Sequence, residues 1–268
     1  MPDIPIDQLD DPRLEPYRDV KFRRTAEGRG AFIAEGHRVV ERLLESRFPV
    51  ESILATDRRR HLLDRMDLSQ VPVLLLREEL ASELVGYNFH GGIMACGLRQ
   101  PEPPLDSLFP EPESSELVVV CPRTTDPDNL GGIIRLCRGF GARGLILGSA
   151  GADPYSRRVI RVSMGNALHL PILQPEDLRG TLDRLKSEHG FELAATILGE
   201  GTVPLSSMPR PRRLALLLGN EADGLESEWI DRCDHRVEIP MSLGTDSLNV
   251  TIAAGIFLYH FTQVAAPA

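Results

Sequence analysis

Short apolar runs alternate with segments of helical spacing along most of the chain. Over residues 25–99, Phe32-Ile33-Ala34 reads as a strand, and Val39, Val40, Leu43 and Leu44 form a helical stripe over 36–44. Val50 to Ala55 predicts a strand, and Thr56 or Asp57 then caps a helix running to about Met66. Val71 to Leu76 predicts a strand, Glu78 to Val85 a helix, and Gly92 to Cys96 a last strand. This is the pattern of a small α/β domain, preceded by a less regular N-terminal extension over 1–24. Residues 100–116 interrupt it with five prolines and no basic residue. Proline serves neither helix interiors nor strand ladders, so this stretch predicts an interdomain linker.

From 117 to 268 the alternation returns on a larger scale. Strands are predicted at Leu117–Cys121, Leu145–Leu147, Phe191–Leu198, Leu214–Leu218 and Arg236–Ile239. Helices are predicted at Asn129–Phe140, Glu176–His189, Glu226–Cys233 and Leu248–Phe261. Unbroken apolar strands between helices imply a parallel sheet covered on both faces. Ligands of such sheets bind beyond the carboxyl ends of the strands.

Composition narrows the class. Only 14 of 268 residues are aromatic, so the core is aliphatic. No apolar run reaches the roughly 18 residues of a membrane span, and the acidic N-terminus has no secretory pattern. Cys96, Cys121, Cys137 and Cys233 form no CxxC pair, which predicts buried thiols in a reducing cytoplasm rather than a metal or disulfide framework. The net charge of −9 weighs against a nucleic-acid binder, but five of the excess acids lie in 101–116. Of the 30 basic residues 28 are Arg, the side chain that grips phosphate through two parallel hydrogen bonds.

One motif fails on context. Gly139-Phe140-Gly141-Ala142-Arg143-Gly144 spells G-x-G-x-x-G, but it follows a helix and opens a strand, the reverse of a dinucleotide fingerprint. It predicts a glycine helix stop and a turn. No G-x-S-x-G, P-loop or H-E-x-x-H occurs, and the seven histidines are dispersed.

Three segments, each at a strand end, carry candidate chemistry. In the first, running from Pro122, Asn129 stands where a helix N-cap belongs, and Arg135 follows six residues later with Gly131 and Gly132 between. The second, Gly219-Asn220-Glu221-Ala222-Asp223-Gly224, ends an apolar strand in a loop that offers backbone N–H groups to a ligand. In the third, Ile239-Pro240-Met241 leads to Ser247-Leu248-Asn249-Val250 at a helix start. There Asn249 suits a cap better than a helix interior.

In this order and spacing the three segments resemble the motifs of the SpoU (TrmH-like) RNA ribose 2′-O-methyltransferases of the SPOUT superfamily, over about 117–263. The phrase Phe32-Ile33-Ala34-Glu35-Gly36-His37 is similar to the start of that family's ribosomal-protein-like RNA-binding domain. The resemblance implies an α/β fold with a C-terminal trefoil-knotted domain built on a parallel sheet, the knot forming a pocket for S-adenosylmethionine. It implies cofactor contacts from Leu218, Gly219, Asn220, Gly224, Ile239, Met241 and Leu248. It also implies a catalytic group of Asn129, Arg135, Glu221, Ser247 and Asn249, with no metal and no membrane. A homodimer through the knotted domain follows too, in keeping with the apolar surface of the terminal helix.

Methyl transfer from a sulfonium to a hydroxyl oxygen is an in-line displacement that needs positioning and the handling of one proton. A neutral guanidinium at pH 7 would cost about 7–9 kcal/mol. Arg135 is therefore expected to stay cationic, orienting phosphate and stabilising the developing alkoxide. Glu221 would orient Arg135 or take the proton. Two clusters, Arg58-Arg59-Arg60 and Arg157, Arg158 with Arg161, are the candidate contacts to structured rRNA or tRNA. Two other readings stay open: a non-catalytic RNA-binding member of the fold, and a SAM-dependent enzyme on a non-RNA substrate.

Overall fold

The structure is a computed structural model and describes residues 3–20, 30–111, 114–220, 222–242 and 247–265. In chain order its first elements are β1 (Ile4–Pro5), β2 (Ala31–Glu35), α1 (His37–Leu44), β3 (Val50–Thr56), β4 (Val73–Leu76), α2 (Glu78–Val85) and β5 (Ile93–Leu98). Next come β6 (Glu116–Cys121), α3 (Pro127–Gly139), β7 (Gly144–Leu147), α4 (Arg157–Val162), β8 (Ile172–Leu173), α5 (Leu178–Ser187) and β9 (Glu192–Thr196). The last are β10 (Val203–Pro204), β11 (Arg213–Leu217), α6 (Ser227–Ile230), β12 (His235–Glu238) and α7 (Val250–Tyr259), the last followed by a π-helical turn, His260–Val264.

Two compact units form. The first comprises Met1–Pro101 together with Tyr155–His169; the second comprises Glu102–Pro154 with Leu170–Ala268. The methyltransferase half predicted as 117–268 is thus interrupted by a segment that folds with the first unit.

The first unit is a mixed five-stranded sheet in the order β1-β4-β3-β5-β2. Described residues of the predicted N-terminal extension join it. β1 pairs parallel with β4, while Leu14 and Tyr17 are fully buried and the Tyr17 hydroxyl reaches the Ser52 carbonyl oxygen at 2.8 Å. The helix predicted after Thr56 is a 3-10 helix, Asp57–Leu63. The Tyr155–His169 segment joins through apolar and polar contacts. Tyr155 packs on Phe32 and Phe48, with ring centroids 5.9 and 5.3 Å away. His169 Nε2 lies 2.9 Å from the Arg42 carbonyl oxygen. Arg157 donates to Glu35 and to the Tyr87 hydroxyl, both at 2.8 Å, and lies over the Tyr87 ring. Burial, with the Glu35 carboxylate, pushes the Tyr87 phenol well up, so it stays protonated.

The second unit carries a seven-stranded sheet, β10-β12-β9-β11-β6-β7-β8, and every pairing in it is parallel. Its interior strands are buried on both faces, as their unbroken apolar runs require: all five residues of β11 and four of β7 are buried. Described residues of the predicted linker, from Glu102 on, belong to this unit. A 3-10 turn, Leu105–Leu108, places Leu105, Leu108 and Phe109 in the core with Val118, Leu182 and Phe191. Buried Arg213, the first residue of β11, fixes this segment: its guanidinium donates to the carbonyl oxygens of Glu111 and His189 and lies by the rings of Phe109 and Phe191. The glycine-rich turn behaves as its context demands, since α3 stops at Gly139, Gly141 takes φ +75° and β7 opens at Gly144. Among the described residues no helix is long and apolar enough to cross a membrane.

Candidate active site

Sheet order brings the second and third motifs together. β12, β9 and β11 are neighbours, all parallel, so the loops leaving their carboxyl ends emerge side by side. Beyond those ends lies a cavity of about 560 Å³. That is within the roughly 300–1,000 Å³ usual for small-molecule sites. Thr196, Ile197 and Leu198 line it at the end of β9, Gly219, Asn220 and Ala222 to Leu225 after β11, Ile239 and Met241 after β12, and Ser247, Leu248, Asn249, Ala253 and Phe257 at and along α7.

The loop after β11 is pinned where it leaves and returns. Asn220 and Gly224 exchange backbone hydrogen bonds at 2.8 and 3.0 Å, and Asn220 Oδ1 accepts from the Ala222 N–H at 2.9 Å. Gly224 closes the turn at φ +70°. Gly219 lies so close to the returning strand that a Cβ would stand 2.6 Å from the Gly224 carbonyl carbon. Leu218 is buried beneath, its N–H bonded to the Val120 carbonyl oxygen at 2.9 Å. From the end of β6, Arg123 reaches Asp223 and Glu226 at 3.6 and 3.7 Å. Of the predicted cofactor residues, Gly219, Asn220, Gly224, Ile239, Met241 and Leu248 all line the cavity.

The first motif meets the third through a pair of amides. The N-cap of α3 is Asp126, not Asn129: the Asp126 carboxylate accepts the Asp128 N–H at 2.8 Å and Pro127 takes the first helical position. Asn129 therefore sits within the first turn, buried, with its side chain turned to α7. Its Oδ1 accepts from Asn249 Nδ2 at 3.0 Å. Asn249 does cap α7, as its place at a helix start predicts, with its Oδ1 facing the N–H groups of Thr251 and Ile252.

Arg135 is exposed on α3 and is not among the residues lining the cavity. Six residues at about 1.5 Å rise put it roughly 9 Å along the helix from Asn129. Ser247 is exposed at the cavity. Glu221 falls outside the described residues. Sequence reasoning missed the β9 end, Thr196 to Leu198, and also Thr251. A strand end carries no motif of its own, and only the sheet order makes β9 the neighbour of β11 and β12.

The two arginine clusters divide by exposure. Arg60 is held by Asp3 and Asp64 at 2.8 and 2.9 Å; Arg58 and Arg59 are both exposed, Arg58 pairing with Glu78 at 2.6 Å. Arg157 is committed to Glu35 and Tyr87 within the first unit, whereas Arg158 and Arg161 are exposed. Arg157 thus takes part in the packing of the first unit, with its side chain 28% exposed. Arg157→Ala should lower unfolding stability by about 1–3 kcal/mol in urea denaturation, as expected for a half-buried charge pair that loses one partner. Arg161→Ala, at an exposed position, should stay within about 0.5 kcal/mol.

Outside the cavity, Asp106, Glu188 and His189 converge, but Arg184 already bonds both carboxylates at 2.7 and 2.9 Å and supplies the positive charge. Cys96, Cys121 and Cys137 are buried, Cys233 partly so, and burial with the adjacent Asp234 pushes the Cys233 thiol up to about 12. It is therefore a poor nucleophile at neutral pH.

Residues 116–259 match the SpoU rRNA Methylase family. An uncharacterised tRNA/rRNA methyltransferase of Mycobacterium bovis is 36% identical over 95% of this chain and 90% of its own length. The 23S rRNA (guanosine(2553)-2′-O)-methyltransferase of Bacillus subtilis is 28% identical over 94% of this chain and 98% of its own. Among solved structures, an AdoMet-bound rRNA methyltransferase from Sinorhizobium meliloti superposes with a TM-score of 0.82 at 26% identity, covering 97% of both chains. The parallel sheet, the cavity at three adjacent strand ends and the motifs around it agree with these likenesses: the chain belongs to the SpoU rRNA methylase family.

Proposed function

We propose that this protein transfers a methyl group from S-adenosylmethionine to a ribose 2′-hydroxyl of ribosomal RNA in the cytoplasm. The observation that carries the reading is the convergence of the second and third motifs on one cavity in a chain of this family. The cavity suits the cofactor. Loop backbone at Gly219 and Asn220 and apolar Ile239, Met241 and Leu248 would hold a nucleoside and its amino-acid tail. When bound, the cofactor supplies an electrophilic methyl on a sulfonium. The rest falls to the chain. Asn129 and Asn249 hold α3 against the rim of the cavity, and Arg135 is the cation that orients an RNA phosphate and stabilises negative charge as the 2′-oxygen reacts. Glu221 and Ser247 complete the site, and the trefoil knot that the resemblance implies belongs to the same reading.

RNA binding in a chain of net charge −9 depends on local patches. Exposed Arg158 and Arg161, with Arg58 and Arg59, are the phosphate contacts in this reading. Removing Arg158 and Arg161 together should flatten the salt dependence of rRNA binding by a slope of about 1.5, at roughly 0.7–0.9 per phosphate, and leave SAM affinity unchanged. An unchanged slope would move the RNA path elsewhere.

The functional protein in this reading is a homodimer. On α7, Ile252, Ile256 and Tyr259 are 56%, 38% and 54% exposed, spaced four and three residues apart on one face. An apolar stripe of that size on a terminal helix suits a second copy of the chain. Ile252→Glu with Ile256→Glu should sediment as a monomer where the unaltered protein sediments as a dimer. A dimer unaffected by both charges would place the interface elsewhere. The reading as a whole is tested by mapping 2′-O-methyl positions in rRNA with and without the gene, and by transfer of labelled methyl from SAM to the unmodified rRNA.

A further inference from the structure

The contact between α3 and α7 contains a residue that the three motifs do not explain. Asn249 has both ends of its amide specified. Its Oδ1 accepts the Thr251 N–H at 2.9 Å and faces the Ile252 N–H at 3.4 Å, closing the first turn of α7. Only Nδ2 is left to face α3, and it donates to Asn129 Oδ1 at 3.0 Å. A helix cap thereby decides which way round the Asn129 amide stands.

Thr251 acts on the same atom. Its hydroxyl lies 3.2 Å from Asn129 Oδ1 and 3.3 Å from the Asn129 carbonyl oxygen. Its methyl fills the space left by the missing side chain of Gly132, where a Cβ would come within 2.5 Å of Thr251 Cγ2. One side chain therefore engages two successive turns of α3, by hydrogen bond at the first and by close packing at the second. Its neighbours Val250 and Ala253 line the cavity; Thr251 does not.

We propose that Thr251 is a positioning residue for methyl transfer: it sets the placement of α3, which carries Asn129 and Arg135, against α7, which lines the cofactor cavity. The inference rests on the functional reading above. With the Asn129 oxygen held by two donors, its amide can turn only its N–H groups elsewhere, and α3 is held in one register. Removing the hydroxyl leaves that oxygen one donor short. The result is a small displacement of the groups that face the ribose, with the cofactor walls intact. A displacement of about 1 Å in a positioning group can cost on the order of 100-fold in rate.

The test compares Thr251→Val, which keeps the methyl and the volume, with Thr251→Ser, which keeps the hydroxyl. Single-turnover methyl transfer to rRNA, SAM affinity by equilibrium titration, and thermal melting are measured on each full-length protein. The Val variant should lose about 10–100-fold in the transfer rate, with SAM affinity within about twofold of the unaltered protein. The Ser variant should keep its rate within about threefold while melting at a lower temperature, since it opens a void at Gly132. The Ser variant thus loses stability while keeping its rate, and the Val variant loses rate at a temperature where it remains folded, a split that a merely structural role would not produce. On an Asn129→Ala background the Val substitution should cost little more. A Val variant with an unaltered rate would overturn the inference, as would a fall in SAM affinity that matches the fall in rate. If the unaltered protein binds SAM and rRNA but transfers no methyl, the functional reading fails and this inference fails with it.

Discussion

Gly219→Ala is expected to weaken S-adenosylmethionine binding by about tenfold or more and to lower unfolding stability by about 1–3 kcal/mol. The added methyl group would stand 2.6 Å from the Gly224 carbonyl carbon, 2.7 Å from the Leu225 nitrogen and 2.9 Å from Gly224 Cα. All three are backbone atoms, and two of them belong to a turn closed by the paired hydrogen bonds of Asn220 and Gly224. No side chain can rotate to make room, so the loop itself must move. That loop is a wall of the cavity. Gly224→Ala makes an instructive companion. A Cβ there meets nothing within 4 Å, but φ +70° strains any L side chain. It should cost stability through the backbone and affect cofactor binding less. Isothermal titration with SAM and urea unfolding of both variants decide the matter. A Gly219→Ala protein that binds SAM normally would remove this loop from the cofactor site.

Arg135→Ala is expected to reduce methyl transfer by about 100- to 1,000-fold, the range seen when a preorganised group that meets developing negative charge is lost. SAM affinity should change little, because Arg135 is exposed on α3 and does not line the cavity. Stability should also hold, since an exposed helix position tolerates alanine. Arg135→Lys separates two roles. It keeps the charge but loses the planar fork, so a rate near that of the Ala variant would show that bidentate geometry, rather than charge alone, is what the reaction uses. Loss of SAM affinity in parallel with loss of rate would overturn the assignment and place Arg135 on the cofactor.

Strands β6, β7 and β11 of the second unit are legible because they are buried on both faces and nearly all apolar; Leu117 to Cys121 and Leu214 to Leu217 state their role in composition alone, whereas the two-residue β8 and the exposed β10 leave no such run. The loop glycines were legible for a related reason, since no other residue accepts the close approach at Gly219. The proline-rich stretch over 100–116 is a different case. Its prolines describe an irregular backbone correctly, but irregular is not the same as unpacked, and buried Arg213 with Phe109 and Phe191 holds it in the core. The cap of α3 was misplaced by three residues because Asp126 and Asn129 are both good capping residues. Pro127, pre-set for a first helical position, settles the choice in favour of Asp126.

What the sequence determined by itself is local or cumulative: apolar periodicity, turn chemistry, and three motifs whose order and spacing mark a family. What only the tertiary structure decided depends on which distant segments lie side by side. Sheet order makes the end of β9 a wall of the cavity. Packing draws Tyr155–His169 out of the second unit and turns Arg157 from a surface charge into a partner of Glu35 and Tyr87. The meeting of α3 and α7 gives Asn129 its partners, Asn249 and Thr251, 120 and 122 residues away. A hydrogen bond or a buried contact between such residues leaves no periodic trace in the chain. Its strength comes from the geometry and low dielectric of the folded interior, which exist only once the strands and helices have assembled.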